Sequence, residues 1–115
     1  GFESAVEVGL ALDHHRAVGR AAAPAVDWHV LRAAAQATAD AVGMLLRDSA
    51  RVAVEHVAIE PAGPMRVAVV AVLLLTESGA ENLAGAAVVT GDRCQAVAHA
   101  TLSALNRRLE ALLVA

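Results

Sequence analysis

The nine consecutive apolar residues from Val67 to Leu75 constrain this chain more than any other segment. The run is about half as long as a membrane-spanning helix needs. It lies between Pro61-Ala-Gly-Pro64 and the polar stretch Thr76 to Asn82, and its residues are rich in Val and Leu. That setting predicts a central β-strand covered on both faces. A chain of 115 residues builds one domain around a single modest core. Two helices can cover one side of such a sheet, so a second subunit is expected to cover the other.

The remaining elements read from their periodicity. Val6, Val8, Leu10 and Leu12 alternate with small or polar residues and predict a strand. Asp13-His14-His15-Arg16 is a polar turn, and Ala17 to Ala23 returns as the partner strand. From Asp27 to about Arg47 the pattern is helical, with Asp27 as the N-cap and Leu31, Ala34, Ala35, Thr38, Val42 and Leu45 on one face. Arg51 to Glu60 predicts a strand with a break near His56, Leu83 to Thr90 another, and Thr76 to Asn82 the hairpin loop between strands. Asp92 and Gln95 are spaced as a capping box, opening a last helix whose buried stripe is Val97, Thr101, Leu105, Leu109 and Leu112.

The two halves look like copies. A shift of 63 residues carries Val6, Val8, Leu10 and Leu12 onto Val69, Ala71, Leu73 and Leu75. The same shift places Ala33, Ala35, Ala37, Thr38, Ala41 and Leu46 on Ala96, Ala98, Ala100, Thr101, Ala104 and Leu109. Gly19 and Gly85 each fall in the second strand of a hairpin. The expected organisation is therefore a single domain, 1–115, holding an internal repeat, 5–47 and 51–113. The second copy has a leading strand that the first lacks, and the sequence starts at Gly1 without an initiating Met, so a piece of a longer chain is expected.

Composition excludes several functions. All nine basic residues are Arg, which removes Schiff-base lysines and phosphate-loop lysines together. A net charge of -3, scattered Arg residues and 2% aromatic content give no nucleic-acid surface. One Cys permits no internal disulfide, and no charged segment followed by an apolar stretch opens the sequence, so a reducing, cytoplasmic location is expected. No carboxylate pair, Ser-His-Asp set or Gly-rich phosphate loop is recognisable, and no cofactor or metal is expected.

The repeat and the ending Ala-Thr-Leu-Ser-Ala-Leu-Asn-Arg-Arg-Leu (100–109) resemble the C-terminal regulatory domain of 2-isopropylmalate synthase. Ala23-Pro24-Ala25-Val26-Asp27 stands where that family carries Gly-Pro-Val-Asp-Ala. The resemblance covers nearly all of 5–109. It implies a dimeric two-layer domain that binds leucine between its copies and passes that preference to a distant active site. The ligand-binding positions it implies are Gly19, Ala21, Pro24, Asp27, Gly85 and Asp92.

Other residues carry weaker signals. His14 and His15 read as turn residues without a third ligand at metal spacing. Cys94 and His99, five apart on one helix, point to different faces, and Cys94 reads as buried and inert. His29 and His99 read as surface or boundary positions. Trp28 either plugs a pocket or subunit seam or caps the edge of the core. Arg107 and Arg108 complement a helix C-terminus, and Asp27 and Asp92 cap helix starts, with a ligand-amine role as the alternative.

The expected fold is α+β, a two-layer sandwich of a duplicated ββα unit (ββα-βββα), with both helices on one face of the sheet and a homodimer as the assembled form. The expected function is a non-catalytic regulatory module binding a small metabolite such as an amino acid. The alternative is a dimerisation or protein-interaction module without a small ligand. Neither reading involves nucleic acid or a membrane.

Overall fold

The computed structural model describes residues 3–12, 15–24, 27–47 and 49–114. The chain is mixed α+β. Strands β1 (Glu3–Leu12) and β2 (His15–Pro24) form an antiparallel hairpin, followed by helix α1 (Asp27–Leu45). Strands β3 (Ala50–Ala62), β4 (Met65–Thr76) and β5 (Gly79–Val88) form an antiparallel meander, followed by helix α2 (Arg93–Val114).

The strands make two sheets, one of two strands and one in the order β3-β4-β5, where a single sheet was expected. Helix α1 lies against strands of both sheets. The Arg32 side chain of α1 donates from Nη2 to the Val54 carbonyl at 2.9 Å, so this backbone acceptor is satisfied by a helix. Val54 also adjoins the register shift between Val54 and His56, a β-bulge at the break the sequence predicts.

Both hairpin links of the second sheet are two residues long. Gly63 takes a φ of +60° ahead of Pro64, whose ring fixes the following φ. The other link is Glu77-Ser78, and β5 begins directly at Gly79. The loop expected over Thr76 to Asn82 is therefore mostly strand. Its polar side chains sit on a strand end that projects past the core, where all of Gly79 to Asn82 are exposed.

Strand β4 is central, as its apolar run requires. Ala68, Val70, Val72 and Leu74 are fully buried on the helix side, alongside Val54 and Val57 of β3. From the helices come Leu31, Val42, Val97, Thr101 and Leu105. Leu109 and Leu112, expected in the buried stripe of α2, are only partly buried against this cluster. The two buried hydroxyls need no external partner, since Thr38 donates to Ala34 O and Thr101 to Val97 O, each at 2.8 Å.

Helix α1 is buried over far more than the stripe its periodicity marks. Ala33, Ala37, Ala39 and Ala41 are also buried, because α1 lies against β1, β2, β3 and α2 together. A helix enclosed this way needs small side chains on most of its circumference, which the Ala-rich sequence supplies.

Each helix rests on a glycine. A Cβ on Gly19 of β2 would overlap the Ala37 carbonyl oxygen and lie 2.7 Å from the Ala41 nitrogen. A Cβ on Gly85 of β5 would overlap the Ala100 carbonyl oxygen and the Ala104 nitrogen. Gly19 pairs with Val8 and Gly85 with Val70. Matching these pairs aligns β1 with β4 at an offset of 62, Val8 onto Val70, instead of the 63 suggested by the helices. The difference matters because a slip of one residue turns a strand over. At 62, Val6, Val8 and Leu10 fall on the core-facing Ala68, Val70 and Val72.

Gly19→Ala and Gly85→Ala are each expected to cost about 1–3 kcal/mol, the usual range for overpacking, because backbone atoms of a helix must yield. Gly9→Ala, where an added Cβ meets nothing within 4 Å, is expected to stay within about 0.5 kcal/mol. Urea unfolding of the three variants checks this. Equal losses at Gly9 and Gly19 would refute the close-approach account.

Candidate ligand residues and assembly face

The residues implicated in ligand binding fall into two groups. Gly19, Ala21 and Pro24 lie on β2 in the first sheet, and Asp27 opens α1 a few residues later. Gly85 lies on β5 in the second sheet, and Asp92 stands immediately before α2. Gly19 and half-buried Ala21 are on the side of β2 that α1 covers, so the bare surface of Gly19 is already filled by helix backbone. Gly85 is filled in the same way by α2. The side chains of Pro24 and Asp27 lie outside the described residues.

Asp92 is an N-cap. Its Oδ1 accepts from the Cys94 amide at 2.8 Å, and its carbonyl accepts from Ala96 N at 3.2 Å, the first bond of α2. The exposed Asp92→Ala variant is expected to lose about 1 kcal/mol of stability, with Asp92→Asn retaining most of it. Thermal unfolding of both variants measures the difference. Equal losses would assign the effect to charge at the helix start instead of the cap.

Other sequence signals resolve differently. His14 lies outside the described residues, as does the side chain of His15. Among the described residues no group of three His, Cys, Asp or Glu could hold a metal ion. Cys94 is half-buried, not fully buried, and His99 is exposed. Trp28 is 52% exposed, so it neither plugs a pocket nor seals the core. Its ring meets His29 edge-on at 4.9 Å, and the Arg32 guanidinium lies 6.0 Å from its centroid. Arg107 and Arg108 precede the last turn of α2, which carries no basic residue, so they do not complement the helix end. Instead Arg108 Nε meets Glu81 Oε2 at 3.0 Å, tying α2 to β5.

Two shallow recesses lie away from the implicated glycines. One, of about 280 Å³, runs between α1 and the start of β3 past Gln36, Asp40 and Arg51. The other, of about 230 Å³, lies beside the Glu81–Arg108 pair with Thr76 and Ser78. No buried side-chain nitrogen or oxygen among the described residues lacks a hydrogen-bond partner.

The outer face of the second sheet is largely apolar. It presents Met65, Val67, Val69, Ala71, Leu73 and Leu75 down β4, the residues alternate to the buried set. On β5 the neighbours are Ala80, Asn82, Ala84, Ala86 and Val88, and on β3 Arg51, Ala53, His56, Ala58 and Glu60. Of the six exposed large apolar side chains among the described residues, Met65, Leu75 and Val88 are on this face. The first sheet is different. Its outer side carries Glu7, Gly9, Arg16, Val18 and Arg20, with Glu7 and Arg20 paired across the strands at 3.0 Å.

No helix of the described residues is long and apolar enough to cross a membrane. A scan against protein-family models finds no match to this chain, and neither the curated proteins nor the solved structures contain a significant one.

Proposed function

We propose that this chain is a non-catalytic self-association module that pairs through the outer face of its β3-β4-β5 sheet. The observation that carries the reading is the apolar ridge of β4, which is buried on one side by the helices and uncovered on the other. A face whose strands have 13, 12 and 10 residues, at roughly 3.3 Å per residue and about 4.8 Å between strands, measures roughly 40 by 14 Å along its central strand. Its side-chain relief brings that area toward the roughly 800 Å² per partner of a standard interface. Because the outer side of the first sheet carries Glu7, Arg16 and Arg20 around Val18, each copy has one mostly apolar sheet face, which favours a closed pair over an open polymer.

In this reading the domain is a duplicated ββα unit. The matched glycine seats at Gly19 and Gly85, and the matched threonine bonds at Thr38 and Thr101, support the duplication. The likeness to the regulatory domain of 2-isopropylmalate synthase rests on the same duplication and on the closing 100–109 segment. A leucine-type effector is the second reading, favoured by the placement of Asp27 and Asp92 at two helix starts that follow hairpins. The assembly reading stands ahead of it because helix backbone fills both glycine seats.

Two substitutions on adjacent residues of β4 separate core from interface. Val70→Asp buries a charge against the helices and is expected to unfold the domain. Val69→Asp, on the outer face, is expected to give a folded monomer. Sedimentation velocity and circular dichroism read both. A wild-type chain that is monomeric at high micromolar concentration would overturn the assembly reading. Thermal unfolding of the wild type with leucine, isoleucine or valine then tests the second reading. A ligand that binds only the folded form at a hundred times its dissociation constant stabilises by about 2.7 kcal/mol.

A further inference from the structure

We propose that the occupant of the outer sheet face is a second copy related by a two-fold axis along the row His56–Ala71–Ala84, with Arg51 of each copy paired to the partner's Glu60. The inference rests on the assembly reading above and adds its symmetry and register. It follows from how charge and bulk are distributed over the face.

Near its two ends the face carries one cation and one anion, both on β3, and a second anion, Glu55, stands exposed beside His56 at the bulge between them. Arg51 lies opposite Leu75, and Glu60 opposite Val67. Both side chains are exposed, and neither has an ion-pair partner among the described residues. The register places the point midway between Leu75 and Val67 at Ala71, which pairs with His56 on one side and Ala84 on the other. The bulge makes the same row the midpoint of β3, since Glu55 and His56 together stand between Arg51 and Glu60.

A two-fold axis along this row, perpendicular to the strands and in the plane between two stacked sheets, exchanges the two ends. It lays β3 over the partner's β3 with strand direction reversed. Each Arg51 then faces the partner's Glu60, and the contact occurs twice, as isologous packing requires. An axis parallel to the strands would place Arg51 over the Ala80 end of the partner's β5, leaving both charges unpaired against apolar surface. Charge therefore selects between the two orientations.

Bulk distribution agrees. The β4 side chains Met65, Val67, Val69, Leu73 and Leu75 form a ridge that is interrupted only at Ala71. Two ridges crossing at the roughly 30° angle of aligned sheet packing come closest at the axis. There each copy offers Ala71, the smallest side chain of its ridge, so the sheets approach without collision. The Ala residues flanking the ridge, 53 and 58 on β3 and 84 and 86 on β5, give the partner's ridge ends room to settle.

Charge reversal on the intact chain tests the arrangement. Arg51→Glu, Glu60→Arg and the double variant are compared by sedimentation equilibrium at low salt, with circular dichroism to establish that each is folded. Each single reversal sets like charges together at both contacts, and the dissociation constant is expected to rise at least tenfold. The double reversal restores opposite charges and is expected to return association to within a few-fold of wild type. A dimeric wild type whose single variants associate normally, or whose double variant is no better than the singles, overturns the two-fold register while self-association stands. A monomeric wild type overturns both. Spectra showing an unfolded single variant would contradict the exposed, unpaired placement of Arg51 and Glu60 on which the register depends.

Discussion

Backbone-to-backbone proximity at two glycines sets the geometry of this domain. Where α1 crosses β2 and α2 crosses β5, no side chain separates helix from strand. Everything else in the layer must be correspondingly small, and the sequence responds with Ala at most buried helical positions. The core is therefore thin and densely seated, with its larger side chains gathered around β4 and the facing sides of the helices. Dispersion between closely approached backbones supplies contact that bulky residues provide in other domains.

That thinness connects to the exposed face. A β-meander with helices on one side buries alternate residues of its central strand, and β4 does this with Ala68, Val70, Val72 and Leu74. The intervening residues are equally apolar, which costs solubility unless something covers them. The hairpin of the first sheet shows the contrasting solution, with a Glu–Arg pair spanning its outer side. The two sheets hold their helices alike and treat their outer surfaces differently. The difference concentrates adhesion on one half of the molecule.

Much of the fold was legible before its coordinates. Both helices, all five strands, the bulge near His56 and the central place of β4 follow from periodicity and from the Pro and Gly positions. What escaped was a matter of parity and edges. Ala and Val fill both faces of several strands, so alternation does not show which set of β4 faces the core, and the 63-residue offset aligns the half-buried Val6, Val8 and Leu10 of β1 with the outer set of β4. The division into two sheets goes with the packing of α1 against strands of both, a long-range arrangement that no local pattern announces. The implicated binding residues were legible as special positions, but for Gly19 and Gly85 the speciality is helix seating. A glycine in a strand signals close approach by something, and sequence alone does not say whether that is a ligand or the chain itself.

The position of Trp28 has an optical consequence. The chain has one Trp and no Tyr, and that indole stands half in solvent on the first turn of α1, clear of the core. Its emission reports on the start of one helix and on the neighbouring His29 and Arg32. The second sheet, α2 and the outer apolar face contain no chromophore beyond the peptide bond. Loosening of that half reaches the indole only through Arg32, which bonds the Val54 carbonyl of β3, and association through the outer face brings no chromophore into contact with another. The region that carries the most apolar surface is thus the one that ordinary spectroscopic titration sees least.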